Sequence, residues 1–395
     1  MTLNSSNELS SSMTYQLQIY FAGTKNIKPK LPVSFEALEQ KACEVMKPEA
    51  FGYIAGGAGA EATMDNNKAA FNHWQIVPRM MGDVSDRSIG IELFGMRLPS
   101  PILLAPVGVL SIAHPEAEVA VAHAAKSLHV PQIVSTVSSK TIEEIGAANE
   151  GNPHWFQLYW GRNDDFTRNM ISRAEKAGYS AIVVTLDTRL FAWRERDIQN
   201  AYLPFLYNEG LANYFSDPVF LAEVDDPAKD PMKTMMHFGH CFSNPSSKWE
   251  DLAVIRNTTK LPIIVKGIQH PDDAKKAIDQ GVDGIIVSNH GGRQMDGAIG
   301  AIDTLESIAE AVGYKTTILF DSGIRRGADV FKAMALGAKA VLVGRPYAYG
   351  LAIAGEEGVK EVLANLLADI DLTLGLAGCT SWAEVTKDKL KYFGK

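Results

Sequence analysis

The segment Ser288-Asn-His290-Gly-Gly-Arg293-Gln is the part of the chain best equipped for chemistry. An imidazole exchanges a proton near neutral pH, and a guanidinium can hold a carboxylate in a two-pronged fork. Asp187, in Thr185-Leu-Asp187, can hold that imidazole and favour its protonated form. A second arginine, Arg194, follows in Phe191-Ala-Trp-Arg194-Glu-Arg196-Asp. One histidine, two arginines and tyrosines around one cavity suit a small hydroxy or keto acid. Lys266 has the charge to stabilise an anionic locus on a cofactor ring. Asp321-Ser-Gly-Ile-Arg325-Arg-Gly and Gly344-Arg345-Pro mix glycines, which let backbone amides approach an anion, with arginines that bind one. They predict a phosphorylated cofactor.

Other groups carry less. Gly56-Gly-Ala-Gly59 follows a helical stretch rather than a strand, so it reads as a turn and not a dinucleotide loop. His237-x-x-His240-Cys241 lacks further ligands, and no metal is expected. His270, before Pro271, reads as local structure at a helix start, and His73, beside Trp74, as packing.

Eight short, near-continuous apolar runs must position these groups: Ile102–Pro106, Gln132–Thr136, Trp155–Tyr159, Ala181–Asp187, Pro262–Lys266, Gly284–Asn289, Thr317–Asp321 and Ala340–Gly344. Such runs mark buried parallel strands, and helix-like segments separate most of them. Ala174-x3-Gly178-x2-Ala181-Ile-Val-Val is echoed from Ala277 and again from Ala333, each a helix end, a glycine and a buried strand. The pattern predicts a (β/α)8 TIM barrel over about 100–355, with an open doubly wound sheet as the other possibility. The chemistry-bearing residues fall at the carboxyl ends of the runs, where barrels place their active sites. Before the barrel the text from Tyr15 reads as a mainly helical extension with a strand or two around Ile89–Phe94, and residues 1–14 read as disordered. The stretch 15–395 reads as one domain. The gap from Ala181 to Pro262 is far longer than the others, so about 190–247 is expected to form a lid on the active face.

Of 395 residues, 46% are hydrophobic and 21% charged, and the net charge is −8. An acidic balance argues against a nucleic-acid partner. No apolar run is long enough to span a membrane, and the polar amino end lacks the form of a signal peptide. Three scattered cysteines without a CxxC pair fit a reducing, cytoplasmic setting.

These residues resemble the FMN-dependent α-hydroxy acid oxidase and dehydrogenase family. The resemblance runs from about Tyr15 to the carboxyl end. It is carried by Gly52-Tyr53-Ile-Ala-Gly, Ala105-Pro106-Val107-Gly108, Phe156-Gln157-Leu-Tyr159, Thr185-Leu-Asp187, Lys266-Gly-Ile, the His290 segment, Asp321-Ser322-Gly323-Ile324-Arg325 and Gly344-Arg345-Pro. It implies bound FMN, a small 2-hydroxy acid substrate, oxygen as a partner, and a homotetramer or homo-octamer. It implies His290 as catalytic base with Asp187 as its partner, and Arg194 and Arg293 as the carboxylate clamp. Tyr53 and Tyr159 match donors to substrate, and Tyr214 matches a lid tyrosine. Pro106, Val107, Gly108, Ser135, Gln157, Thr185, Lys266 and Ser288 match flavin contacts. Asp321, Ser322, Gly323, Ile324, Arg325, Gly344 and Arg345 match ribityl and phosphate contacts. The stretches Thr185–Asp197, Asn213–Phe220, Lys266–Ala274 and Gly344–Gly350 are similar to the family's lactate 2-monooxygenase branch. That branch turns L-lactate and oxygen into acetate, carbon dioxide and water. An oxidase giving pyruvate and hydrogen peroxide, or a dehydrogenase, stays open. Gly108 and Val137 are expected to leave room beside the substrate's Cα substituent. From other classes, a nicotinamide-dependent barrel reductase would not need the His290, Arg293 and Lys266 set, and a non-catalytic FMN protein would not need His290 with two clamping arginines.

Overall fold

The computed structural model describes residues 11–394 apart from 225, 226 and 228. Eight parallel strands close into a barrel in chain order. They are β1 (Ile102–Leu104), β2 (Gln132–Ser135), β3 (His154–Tyr159), β4 (Ile182–Thr185), β5 (Ile263–Ile268), β6 (Gly284–Val287), β7 (Thr317–Phe320) and β8 (Ala340–Val343). The fold is the TIM barrel expected from the eight apolar runs.

Strand alternation sorts the side chains. Leu103, Ile133, Trp155, Val183, Ile264, Ile286, Leu319 and Leu342 fill the barrel interior as one apolar layer. Their neighbours Ile102, Leu104, Val134, Phe156, Val184 and Val265 face outward into the layer beneath the helices. Two residues further along each strand the chain points inward again. Those next positions are Ala105, Ser135, Gln157, Thr185, Lys266, Ser288, Asp321 and Gly344. The polar layer at the carboxyl mouth is thus set by the same period that builds the core. The other mouth is plugged by a hairpin, Ile91–Leu93 with Met96–Leu98, whose Leu93 and Leu98 join the interior cluster. At its turn, Phe94 meets Trp155 edge-on at 5.6 Å.

The amino-terminal extension is helical, as expected: α1 (Ser11–Gly23), α2 (Phe35–Val45), α3 (Pro48–Ala55) and α4 (Ala62–His73). The expectation of disorder over 1–14 does not hold for its last four residues. Residues 11–14 belong to α1, which Tyr15 docks by donating to Asn365 Oδ1 at 2.8 Å. Residues 1–10 lie outside the described residues. The Gly56–Gly59 segment is a turn leaving α3, in line with the sequence reading. His270 caps a helix by accepting from Asp272 N, and His73 packs edge-on against Tyr392.

The insertion after β4 is less open than a lid over 190–247 implies. Several side chains from Leu211 onward are packed down. Tyr214, Phe220, Phe238 and Phe242 are buried, and the Asn213 amide bonds Thr136 O, Ser138 Oγ and Ile142 N. The helix Pro231–Phe242 rests on Gly161, where a Cβ would run into the Cys241 carbonyl. Leu190, Phe191, Trp193, Leu206 and Tyr207 are all more than half exposed, as are Met232 and Met236 further on. Among the described residues, no three His, Cys, Asp or Glu side chains gather as a metal site. No helix among them is long and apolar enough to cross a membrane.

Candidate active site

His290 sits three residues past β6, where the chain turns through Gly291 and Gly292. Its own φ of +59° lies in the left-handed region, a conformation that costs a side-chain-bearing residue about 1–3 kcal/mol and persists only where the surroundings hold it. The hold is visible. His290 N donates to Ser288 Oγ at 3.0 Å, and Asn289 N and Gly291 N both donate to Ser322 Oγ at 3.2 and 2.9 Å. Ser322, itself at φ +80°, donates onward to Asp321 Oδ1. So the β7 loop, expected to serve a cofactor, also braces the histidine loop.

Asp187, two residues past β4, lies 2.7 Å from His290 Nδ1. Its other oxygen has no hydrogen-bond partner and faces Lys266 Nζ at 3.9 Å. Burial opposes the charge on Asp187, but His290 and Lys266 outweigh it and hold the carboxyl down at about 2. Burial lowers the His290 pKa, and Asp187 counters only part of that. The imidazole is therefore neutral near pH 7. With Nδ1–H given to Asp187, the Nε2 lone pair is the one left for a substrate.

Lys266 is buried, donates to Ser288 Oγ at 3.0 Å and lies 3.5 Å from Asp321 Oδ2. After it the strand bulges at Gly267, φ +108°, where a Cβ would meet the Asp187 side chain at 2.8 Å. Only glycine lets β5 and Asp187 approach this closely. Gln157 accepts from Ser135 Oγ (3.1 Å) and donates to Thr185 Oγ1 (2.9 Å), which makes a hydrogen-bonded belt across β2, β3 and β4.

One cavity over this floor is lined by Tyr53, Pro106, Val107, Gly108, Val137, Tyr159, Arg194, Lys266, His290, Arg293, Asp321 through Arg325, Gly344 and Arg345. Asp187, Ser135, Gln157, Thr185 and Ser288 do not line it, and Thr185 faces a separate cavity with Thr188 and Gly267. Arg293 spends one nitrogen on the carbonyls of Tyr53 (2.6 Å) and Gly56 (2.7 Å) at the end of α3, and its guanidinium lies 5.2 Å from the Tyr53 ring centre. Arg194 bonds Arg293 O and Gln294 Oε1. Burial, then Arg194 and Arg345, push Arg293 down to about 9. Burial, then Arg345, push Arg325 down to about 10, and its Nε has no hydrogen-bond partner. Buried cations without a counter-ion of their own are costly, and an anion beside Arg293 or Arg325 relieves that cost. A phosphate at Arg325 and a carboxylate at Arg194 and Arg293 fit this donor set. Arg345, which lines the cavity beside Gly344, gives its nitrogens to the carbonyls of Ala55, Gly56 and Gly291, fastening the α3 turn to the histidine loop.

Two expectations need correction. Tyr214 is not at the cavity. It is fully buried, stacked on Phe166 at 5.0 Å, and its hydroxyl has no partner. Its place in an aromatic-rich insertion is consistent with core as well as with a lid, and packing chose core. Gly108 offers no open room either, because a Cβ there would sit 2.5 Å from Val137 O. The residues not anticipated include Thr188, 3.1 Å from Asp187 Oδ1, and an apolar rim of Phe191, Leu203, Phe205 and Phe242 from the insertion. Lys-Gly at 266–267 was a usable signal for the bulge, whereas nothing in the insertion's text marks which aromatics face inward.

Residues 42–392 match the FMN-dependent dehydrogenase family. The chain belongs to that family. It is 43% identical to an FMN-dependent alpha-hydroxy acid dehydrogenase of Penicillium citrinum over 96% of this chain and 95% of that one. It is 44% identical to an L-lactate oxidase of Lysinibacillus sphaericus over 90% and 92%. A crystal structure of mandelate oxidase superposes with a TM-score of 0.80 at 40% identity, covering 91% of this chain and 98% of that one. FMN is thus the cofactor of this FMN-dependent dehydrogenase family member, and α-hydroxy acid oxidation its reaction class.

Proposed function

We propose that the protein oxidises L-lactate and close L-2-hydroxy acids and, in air, acts as a lactate 2-monooxygenase. The observation that carries the substrate reading is His290, backed by Asp187 at 2.7 Å, opening onto the same cavity as Arg293 and Arg194. The arginines hold the substrate carboxylate, with Tyr53 and Tyr159 donating to its oxygens. His290 Nε2 takes the hydroxyl proton, and Asp187 stabilises the resulting imidazolium. Asp187, Lys266 and the belt of Ser135, Gln157 and Thr185 keep the floor rigid. FMN supplies the two-electron acceptor and, once reduced, the reaction with oxygen.

The monooxygenase outcome is supported by the rim. Phe191, Leu203, Phe205 and Phe242 line the cavity as an apolar rim, which would hold pyruvate beside the site while oxygen is reduced. Peroxide formed there decarboxylates it, and lactate plus oxygen gives acetate, carbon dioxide and water. A plain oxidase is the second reading, favoured by the 44% identity to an L-lactate oxidase. Oxygen uptake with L-lactate, with peroxide and acetate measured together, separates them. Acetate with little peroxide is expected. Pyruvate and peroxide in equal amounts make the protein an oxidase, and a flavin that oxygen barely reoxidises makes it a dehydrogenase. We extend the reading to a cytosolic homotetramer or homo-octamer. The three free cysteines fit a reducing compartment, and the exposed Trp193, Leu206 and Tyr207 offer apolar surface for subunit contact.

A further inference from the structure

Glu118 is 1% exposed and has no role in the site above. It lies in the first turn of α5 (Ala117–Ser127). Its carboxylate accepts from Leu110 N at 3.2 Å and from Ser139 N at 3.0 Å. Leu110 follows the cavity-lining Val107 and Gly108, and Ser139 follows the cavity-lining Val137. One side chain therefore spans the loops after β1 and β2. The loops are also tied directly. Val109 N donates to Val137 O at 2.8 Å, and Ser111 bonds Ser139 Oγ through its N (3.1 Å) and its Oγ (2.8 Å).

Ser111 Oγ also bonds Glu209 of the insertion. The next residue, Gly210, is at φ +74°, and a Cβ there would come within 2.7 Å of the Val109 side chain and 2.9 Å of Val137 O. Val109 itself is held at φ +61°, a costly conformation for a β-branched residue. Burial pushes Glu118 up to about 7 despite its N–H donors. A well-packed apolar side chain would avoid that desolvation, so the carboxylate is present for what it holds.

We propose that Glu118, Ser111 and Glu209 are positioning residues, a hydrogen-bonded strut that fixes the Val107–Val109 and Val137 wall against the cofactor and couples it to the insertion. The proposal rests on the FMN reading above. Its test uses Ser111→Ala and Glu209→Ala, which spare the buried Glu118. Losing one bond of the network should speed amide exchange in segments 107–111 and 137–140 of the apoprotein roughly 3–10-fold. In the FMN-loaded protein the visible flavin bands should shift. Anaerobic flavin reduction at saturating L-lactate should slow roughly 3–10-fold, with lactate affinity changed less than about twofold. Ser111→Thr and Glu209→Gln, which keep the bond, should restore both readouts. Unchanged exchange and unchanged flavin bands in both alanine variants overturn the proposal. If the wild-type protein takes up no FMN, the cofactor reading fails instead, and the exchange measurement still judges the strut.

Discussion

Replacing Asp187 by Asn tests the acid–base pair most directly. The asparagine keeps the shape but removes the charge 2.7 Å from His290 Nδ1. Two unit charges ~4 Å apart attract by about 4 kcal/mol at an effective dielectric near 20, and breaking a buried pair costs about 3–5 kcal/mol. At ~1.4 kcal/mol per factor of ten, the rate of forming imidazolium should fall roughly 10²–10⁴-fold. Lys266 keeps Asp321 at 3.5 Å, so the cofactor floor should survive. The assay is stopped-flow reduction of the bound flavin by L-lactate without oxygen. The sign of the pH effect is also fixed. Burial already lowers the His290 pKa below its ordinary 6.5, and loss of Asp187 lowers it further. The acid limb of the rate profile should therefore move to lower pH while the plateau drops. For the same reason, the wild-type contribution of neutral His290 to stability is present above 6.5 and is lost as pH falls through its depressed value. A variant that reduces flavin within about threefold of wild type, with an unmoved acid limb, refutes Asp187 as the partner of the base.

Arg293→Lys should weaken binding of lactate and of oxalate roughly 10–100-fold, because an ammonium reproduces neither the fork nor the bonds to Tyr53 O and Gly56 O; titration of the flavin spectrum with oxalate reads this. Gly267→Ala should destabilise by about 1–3 kcal/mol and slow flavin reduction, since φ is +108° and the new methyl meets Asp187; a thermal melt equal to wild type contradicts the close approach. Tyr214→Phe removes a buried hydroxyl without a partner, so kcat should stay within about twofold and the melting temperature should hold or rise; a tenfold loss of kcat places that hydroxyl in catalysis after all. L-2-hydroxybutyrate should be turned over alongside lactate, because one methylene against Val137 and Phe191 is worth only ~1–3 kcal/mol; total inactivity on it would show the wall closed.

Much of this protein was legible without coordinates. The eight apolar runs marked a parallel sheet buried on both faces, because such strands must be apolar almost throughout, and their number favoured a barrel over an open sheet. The period of two then put Ser135, Gln157, Thr185, Lys266, Ser288 and Asp321 on its inner face, just above the packed layer. His290 and Arg293 announced themselves by residue type and spacing. What the sequence left open was every relation between segments distant in the chain. That Asp187 reaches His290 depends on a glycine bulge one strand away. That Arg345 grips the α3 turn while Arg325 lies over the Phe35 ring with its Nε free of a partner depends on where the helical extension docks. That Tyr214 is core and Phe242 is rim depends on how the insertion folds back. Local pattern reports the period of burial along one segment, whereas these choices are made by packing energies shared between segments, which no single stretch of sequence carries.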